Sequence, residues 1–383
     1  MNAKVVKEMP RLRFKEFSGE WQESKLGDVT KINQGLQIAI SDRYTEKIPN
    51  SFFYITNEFL KHGTKKQFYI VNPPKSVICE PNDILMTRTG NTGQVVTGVS
   101  GAFHNNFFKV KWDDKRLLRK YLYYFLTSKP TQNLILRLAG TSTIPDLNHG
   151  DFYRVPINLP AITEQQKIAE FLTNVDEQIE LQDNKIKQLE KYKKGVMQKI
   201  FSQQIRFKDE NGKDYPDWRK KKLSDLTSIT TGKKDVNAGN PKGKYRFYTC
   251  AKKYTYSDEY SFEGEAIMIA GNAEVGLCQY YSGKFEAYQR TYVLQNFGVN
   301  SLFLFKYLSH YFRNYALSLK QTGAMSFIKL GMLKDFVVPI PSNKEQEKVA
   351  EFLTTIDDKI EIEKYKLRQA KQFKKALLQR MFV

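Results

Sequence analysis

Two stretches of this chain repeat each other at long range, and the repeat restricts what the chain can fold into. Residues 159–201 read LPAITEQQKIAEFLTNVDEQIELQDNKIKQLEKYKKGVMQKIF, and residues 340–382 read IPSNKEQEKVAEFLTTIDDKIEIEKYKLRQAKQFKKALLQRMF. They align without a gap at an offset of 181 (345 − 164), with 18 of 43 positions identical. The segments before and between them resemble each other only at their edges. One scaffold is thus written twice and carries two different globular parts, in the order 1–158, 159–201, 202–339 and 340–383.

Each repeat opens with proline and a helix-start signal. Thr163 stands three residues before Gln166, and Ser342 three before Glu345, a spacing that predicts a capping box. Apolar residues then recur at alternating steps of four and three. The first series is Ile168, Leu172, Val175, Ile179, Ile186, Leu189, Val196 and Ile200; the second is Val349, Leu353, Ile356, Ile360, Leu367, Ala370, Leu377 and Met381. That period predicts a coiled-coil seam. Both seams are interrupted at the same places, by Gln182 and Glu363 and then by Lys193 and Lys374, which favours pairing in one register. At ~1.5 Å per residue each helix would be about 57 Å long. Heptads alone fit parallel and antiparallel pairing equally, and the alternative is two amphipathic helices packed on separate cores.

The globular parts share an opening and a close. Trp21, Leu26 and Gly35 match Trp218, Leu223 and Gly232, and GTSTIPDLNHGDFYRVPI from Gly140 matches GAMSFIKLGMLKDFVVPI from Gly323. Between them, strand-like apolar runs alternate with Gly, Asn and Pro, and short helices are expected over Leu117–Leu126 and Leu302–Phe312. The expected fold class is therefore α+β: two β-rich domains separated by two long helices that pair as an intramolecular coiled coil.

In each domain an apolar run ends in a polar, glycine-containing turn, DILMTRTGNTG (83–93) and AIMIAGNAEVG (266–276). Thr87, Arg88, Thr89, Asn91 and Thr92 in the first, with Asn272 and Glu274 in the second, have the short or planar polar groups that reading a base edge requires. His104-Asn105-Asn106 and Gln289-Arg290-Thr291 offer the same chemistry at matching places, with Asn105, Asn106, Gln289 and Arg290 as candidates, and Thr141, Ser142 and Ser326 lie in the closing stretches. These are the candidate DNA-binding residues. The alternative is that the Gly-Asn sequences are simply tight turns.

The net charge of +20 favours a polyanionic partner, nucleic acid ahead of a membrane surface, because the lysines are dispersed rather than bunched in a tail. No apolar leader and no run of ~20 apolar residues occurs, so a cytoplasmic, membrane-free protein is expected. Cys79, Cys250 and Cys278 are isolated, and no metal-ligand spacing is present. Asn72-Pro73-Pro74 is followed by Lys75 rather than an aromatic that could stack on a flipped adenine, and reads as a proline turn. A phosphate loop, a nucleophile elbow and paired nuclease carboxylates are likewise not found. The residues thus point to recognition, with an enzyme carrying its own recognition domains and a DNA-indifferent scaffold as rivals.

The whole pattern resembles the specificity subunit of type I restriction–modification systems. The resemblance rests on Pro160, Glu164, Gln165, Ile168, Ala169 and Leu172, on Pro341, Glu345, Gln346, Val349, Ala350 and Leu353, and on the preceding Val-Pro-Ile at 155–157 and 338–340. It implies two target-recognition domains, each reading one half of a bipartite double-stranded DNA target, and helices that pair antiparallel to set the unread spacer. It also implies two methyltransferase subunits docked on this chain and restriction/translocase subunits beyond them. Chemistry would belong to those partners: none of the cofactors sits in this chain, while S-adenosylmethionine, ATP and Mg2+ are expected on the partner subunits. Because the two domains differ in their reading loops, the half-sites should differ, and the target should be asymmetric.

Overall fold

The computed structural model describes residues 9–61, 63–64, 66–140, 145–319 and 327–382. The chain divides into two compact units, Met1–Asp183 with Tyr365–Val383, and Asn184–Lys364.

The first unit begins with β1 (Gln22–Lys25), the short helix α1 (Leu26–Val29), β2 (Thr30–Gln34), β3 (Ser51–Ile55) and β4 (Tyr69–Val71). Then come β5 (Ile78–Cys79), β6 (Ile84–Thr87), β7 (Val95–Val96), β8 (Gly101–Phe103) and β9 (Phe107–Trp112). Helices α2 (Arg119–Thr127), α3 (Lys129–Leu138) and α4 (His149–Arg154), then β10 (Pro156–Leu159), lead into the long helix α5 (Ile162–Phe201). Two four-stranded sheets result, β2-β9-β6-β7 and β4-β3-β8-β5. All pairs are antiparallel except β3 with β8.

The apolar run Ile84-Leu85-Met86 is explained by its position. Ile84 and Met86 face one core, with Trp21, Phe108 and Tyr121, while Leu85 faces a second, with Ile55, Phe103 and Phe107. A strand buried on both faces needs no polar alternation.

The second unit repeats this plan. It holds β11 (Arg219–Lys222), β12 (Ser228–Thr231), β13 (Tyr245–Tyr248), β14 (Thr255–Ser257), β15 (Glu265–Ala270), β16 (Cys278–Ser282), β17 (Phe285–Ala287) and β18 (Thr291–Gln295). Helices α6 (Ser301–Ser318) and α7 (Leu330–Lys334), then β19 (Val337–Ile340), lead into the second long helix, α8 (Asn343–Met381). Its sheets are β12-β18-β15-β16 and β14-β13-β17, and here too one pair, β13 with β17, is parallel. Ile267 and Ile269 of β15 face one core, Ala266 and Met268 the other. Segments that match in sequence only at their edges therefore share the order of one four-stranded sheet, while the other sheet has four strands in the first unit and three in the second. The helix expected to end at Phe312 runs on to Ser318; it starts where the Asn300 side chain accepts from Phe303 N at 2.9 Å.

The two long helices pair as an antiparallel coiled coil. In the second unit Lys185 pairs with Glu363 at 3.0 Å and Lys193 with Asp357 at 2.5 Å, so positions rise along α5 as they fall along α8. In the first unit Lys374 pairs with Asp176 at 2.5 Å. Every apolar seam position expected from the heptads is buried or half-buried. The ends of the seam also belong to the globular cores: Ile168, Leu172 and Leu377 lie with Trp21 and Tyr121, and Val349, Leu353, Ile356 and Ile360 with Leu223 and Phe303. Coiled-coil pairing and packing on a core, posed as alternatives, thus operate together.

Both capping boxes are corrected: the Glu345 carboxylate is taken by Arg206 and Trp218, and the Gln166 side chain donates to Glu170 at 2.9 Å. Ser342 caps α8, its hydroxyl accepting from Glu345 N at 3.4 Å. In α5 the cap position falls on Ala161, whose carbonyl accepts from Glu164 N and Gln165 N, and Thr163 lies inside the first turn. The repeat offset places Ala161, not Thr163, opposite Ser342, and alanine has no oxygen to offer.

Candidate nucleic-acid interface

In the first unit four segments converge at the end of β6. Thr87 closes the turn after the strand: its hydroxyl donates to Asn91 O and accepts from Gln94 N at 2.9 Å, and its carbonyl accepts from Gly93 N at 2.8 Å. Gly90 and Gly93 adopt φ of 86° and 85°, a left-handed conformation open to glycine at little cost. Arg88 N donates to Asn106 O at 2.7 Å, which ties this turn to the loop between β8 and β9. Leu147 N donates to Arg88 O at 2.9 Å, and the Asn57 amide donates to Thr89 O at 3.0 Å.

The second unit builds the same frame with different side chains. Gly276 N donates to Ala270 O at 2.9 Å, Gly271 N to Arg290 O at 3.0 Å, and Ile328 N to Gly271 O at 2.8 Å, each the counterpart of a bond in the first. Arg88 is thereby matched by Gly271, Asn105 by Gln289 and Asn106 by Arg290. The opening glycines belong to this frame. Gly35 N donates to Phe107 O and Gly232 N to Thr291 O, at 3.0 and 3.1 Å. A Cβ on Gly35 would lie 2.3 Å from the carbonyl oxygens of Phe103 and His104, and one on Gly232 would lie 1.9 Å from that of Ala287.

The candidate residues divide by what they touch. Thr87 and Thr92 are buried and build the turn, Thr92 donating to Pro145 O at 2.5 Å. Arg88 grips Asp146 through two hydrogen bonds, at 2.9 and 2.6 Å, and Thr89 donates to the Asn106 side chain at 2.9 Å. Asn105 donates to Gln37 at 2.9 Å, and Glu274 pairs with Arg313 at 3.1 Å. Asn91 and Arg290 are exposed and Asn272 is half-buried, with their polar groups presented outward, while the exposed Gln289 donates to Asp235 at 3.4 Å. Thr141, Ser142 and Ser326 lie outside the described residues. Burial, and then the charge of Arg43, lower the pKa of His104 beside this turn. Among the described residues no His, Cys, Asp and Glu group is arranged to hold a metal, and no helix is long and apolar enough to cross a membrane.

The sequence signature at the helix starts has a structural explanation that the sequence did not supply. Glu164 is buried and accepts from Arg13 at 2.7 Å through both oxygens and from Trp21 Nε1 at 3.2 Å. Glu345 is buried in the same way under Arg206, at 3.1 and 2.9 Å, and Trp218, at 3.1 Å. Gln165 accepts from Leu118 N and donates to Pro160 O, as Gln346 does with Asn300 N and Pro341 O. Glu-Gln thus forms the joint between each head and its helix. Arg13 and Arg206 open matching RFK sequences, which was the available signal for their role.

Two equivalent heads, each jointed to a long helix and each presenting its own polar side chains on a common loop frame, define a two-headed recognition protein. The sequence profile of the type I restriction modification DNA specificity domain matches the chain twice, over residues 18–191 and 215–372, and the chain belongs to this family. It is 28% identical over 407 residues to the type I restriction enzyme MjaVIII specificity subunit of Methanocaldococcus jannaschii, covering 97% of this chain and 93% of that protein. Over 174 residues it is 34% identical to the type I restriction enzyme EcoDI specificity subunit of Escherichia coli, 44% of this chain and 38% of that one. The crystal structure of a type I restriction–modification S subunit from M. genitalium shares the fold, with a TM-score of 0.63 at 19% identity over 98% of this chain and 99% of that one.

Proposed function

We propose that the chain is the DNA specificity subunit of a type I restriction–modification complex, in which each head reads one half of an asymmetric, bipartite target. The observation that carries this reading is the shared hydrogen-bonded frame with unlike side chains at matched places: Arg88, Asn105 and Asn106 against Gly271, Gln289 and Arg290. One frame presents two different sets of donors and acceptors, as two unlike half-sites require. In this reading segments 1–158 and 202–339 are the recognition domains, and 159–201 and 340–383 set the spacer.

The chain itself does no chemistry in this reading. Two methyltransferase subunits carry S-adenosylmethionine and methylate adenine at N6, and restriction/translocase subunits use ATP and Mg2+, all in the cytoplasm. Paired docking surfaces are supported by exposed apolar residues at repeat-equivalent helix positions. Leu181 and Ile362 are 61% and 55% exposed, and Tyr192 and Phe373 are both 54% exposed. Such residues in a polar helix face favour a partner, and their duplication favours the same partner twice.

The test is a modified-base map of DNA from cells expressing the cognate methyltransferase subunit with and without this chain. A split motif of two unlike halves that gains N6-methyladenine only with the chain supports the reading. Unchanged methylation while the two proteins still co-purify overturns it in favour of a scaffold.

A further inference from the structure

The reading end of the second head carries a basic loop that none of the sequence motifs singled out. Segment 249–253 follows β13 and is held by its own backbone: Cys250 O accepts from Glu274 N at 3.2 Å, and Ala251 O accepts from the Gln279 side chain at 3.0 Å. The Cys250 thiol donates to Arg290 O at 3.2 Å, joining this loop to the one that carries Gln289 and Arg290. Gln289 N in turn donates to Lys234 O at 2.9 Å, which brings up the segment after β12.

Lys233, Lys252, Lys253 and Arg290 are all exposed on these joined segments, and none of them forms an ion pair among the described residues. The Asp235 carboxylate, on the same segment as Lys233, accepts from the Gln289 side chain at 3.4 Å. Lys234 pairs with Glu259 at 2.7 Å, and at the corresponding end of the first head Arg88 is held by Asp146 and Lys61 by Glu58, both at 2.6 Å. Exposed cations on joined segments that form no ion pair favour an anion bound among them. A lysine is a point charge on a flexible stem, suited to phosphate oxygens rather than to the fixed geometry of a base edge.

We propose that Lys252 and Lys253, with Lys233, form a phosphate-binding rim on the second head that grips the DNA backbone beside its half-site. This rests on the reading of the heads as DNA-recognition domains and adds a sequence-independent grip to the second one. The test uses the complex assembled with its cognate methyltransferase subunits, on the methylated target duplex and on the same duplex with the second half-site scrambled, across a salt series. Replacing both Lys252 and Lys253 by alanine should lower the slope of log affinity against log salt by about 2, since each phosphate contact contributes ~0.9. Both duplexes should weaken by the same factor, and the Lys→Arg pair of substitutions should restore the slope. An unchanged slope and affinity would overturn the rim, as would a changed ratio between the two duplexes, which would make the loop a reader of bases. If the wild-type complex does not discriminate between the duplexes, the reading of the heads fails, while the slope still decides the rim.

Discussion

Asp176 and Lys374 meet across the seam at 2.5 Å, and their repeat equivalents, Asp357 and Lys193, meet at the same distance. The lysines that interrupt the heptads are thus each matched by an aspartate that the repeat also duplicates. Each aspartate takes a second partner from its head: Tyr124 donates to Asp176 at 2.9 Å, and Lys306 to Asp357 at 2.5 Å. A shift of one heptad would separate both lysines from these aspartates. Asp176→Ala should therefore destabilise the chain by about 1–2 kcal/mol, a value discounted because the two side chains are 33% and 22% exposed. Denaturant unfolding of Asp176→Ala, Lys374→Ala and the double variant checks this. The coupling should be about 1 kcal/mol, and simple additivity would deny the pair a role in fixing register.

The second pair makes stability depend on pH. Burial alone would raise the Asp357 carboxyl, but hydrogen bonds from Lys193 and Lys306, with their charges, outweigh it and hold the pKa below the usual 3.8. A carboxyl depressed in the folded state contributes its stability above the unfolded value and loses it as pH falls through the folded one. The wild-type unfolding midpoint should hold down to about pH 4 and then fall. Asp357→Asn should start lower and show a shallower acid limb; an identical limb would assign the acid sensitivity to other groups.

Much of this architecture was legible because it follows from local patterns. The repeat placed the two helices, and four-three spacing placed every apolar seam residue from Ile168 to Leu377 in a buried or half-buried position. Turn chemistry identified the Thr87–Gly93 and Gly271–Gly276 loops. What stayed hidden depends on contacts distant in sequence. Arg13 meets Glu164, and Arg88 meets Asp146, through side chains far apart in the chain. Likewise, Thr87 and Thr92 look like free hydrogen-bonding groups in sequence, yet the fold turns them inward to close the loop.

The joints should be the least tolerant polar sites in the chain. Glu345 has no exposed surface and satisfies Arg206 and Trp218 together. Glu345→Ala leaves the Trp218 indole N–H without its acceptor and the Arg206 guanidinium with only the Tyr215 and Pro216 carbonyls and Asp217, and should cost about 3 kcal/mol. A melting curve that separates the two units should show the larger loss in the second. Glu164→Ala should reverse that order, since Glu164 holds Arg13 and Trp21 in the first.

The two glycines shared by the openings should be equally restrictive. Gly232→Ala would set a methyl 1.9 Å from the Ala287 carbonyl oxygen, and Gly35→Ala 2.3 Å from those of Phe103 and His104. Backbone cannot yield as a side-chain tip can, so each should destabilise by about 2 kcal/mol or more. Because these carbonyls flank the loops that carry Gln289 and Asn105, each substitution should also blur one half of the methylated motif. Wild-type stability in either variant would show that the glycine is not needed for close approach.

Neighbours in one turn should separate stability from recognition. Thr92 is buried with its hydroxyl on Pro145 O, whereas Asn91, beside it, is exposed. Thr92→Val leaves a carbonyl without its donor and should lower stability by about 1 kcal/mol while leaving the methylated motif unchanged. Asn91→Ala should leave stability within about 0.5 kcal/mol and alter base preference in the half-site read by the first head. Paired thermal melts and modified-base maps measure both effects. A shift of motif in Thr92→Val without loss of stability would mean that the buried threonine, and not the exposed asparagine, governs what this turn reads.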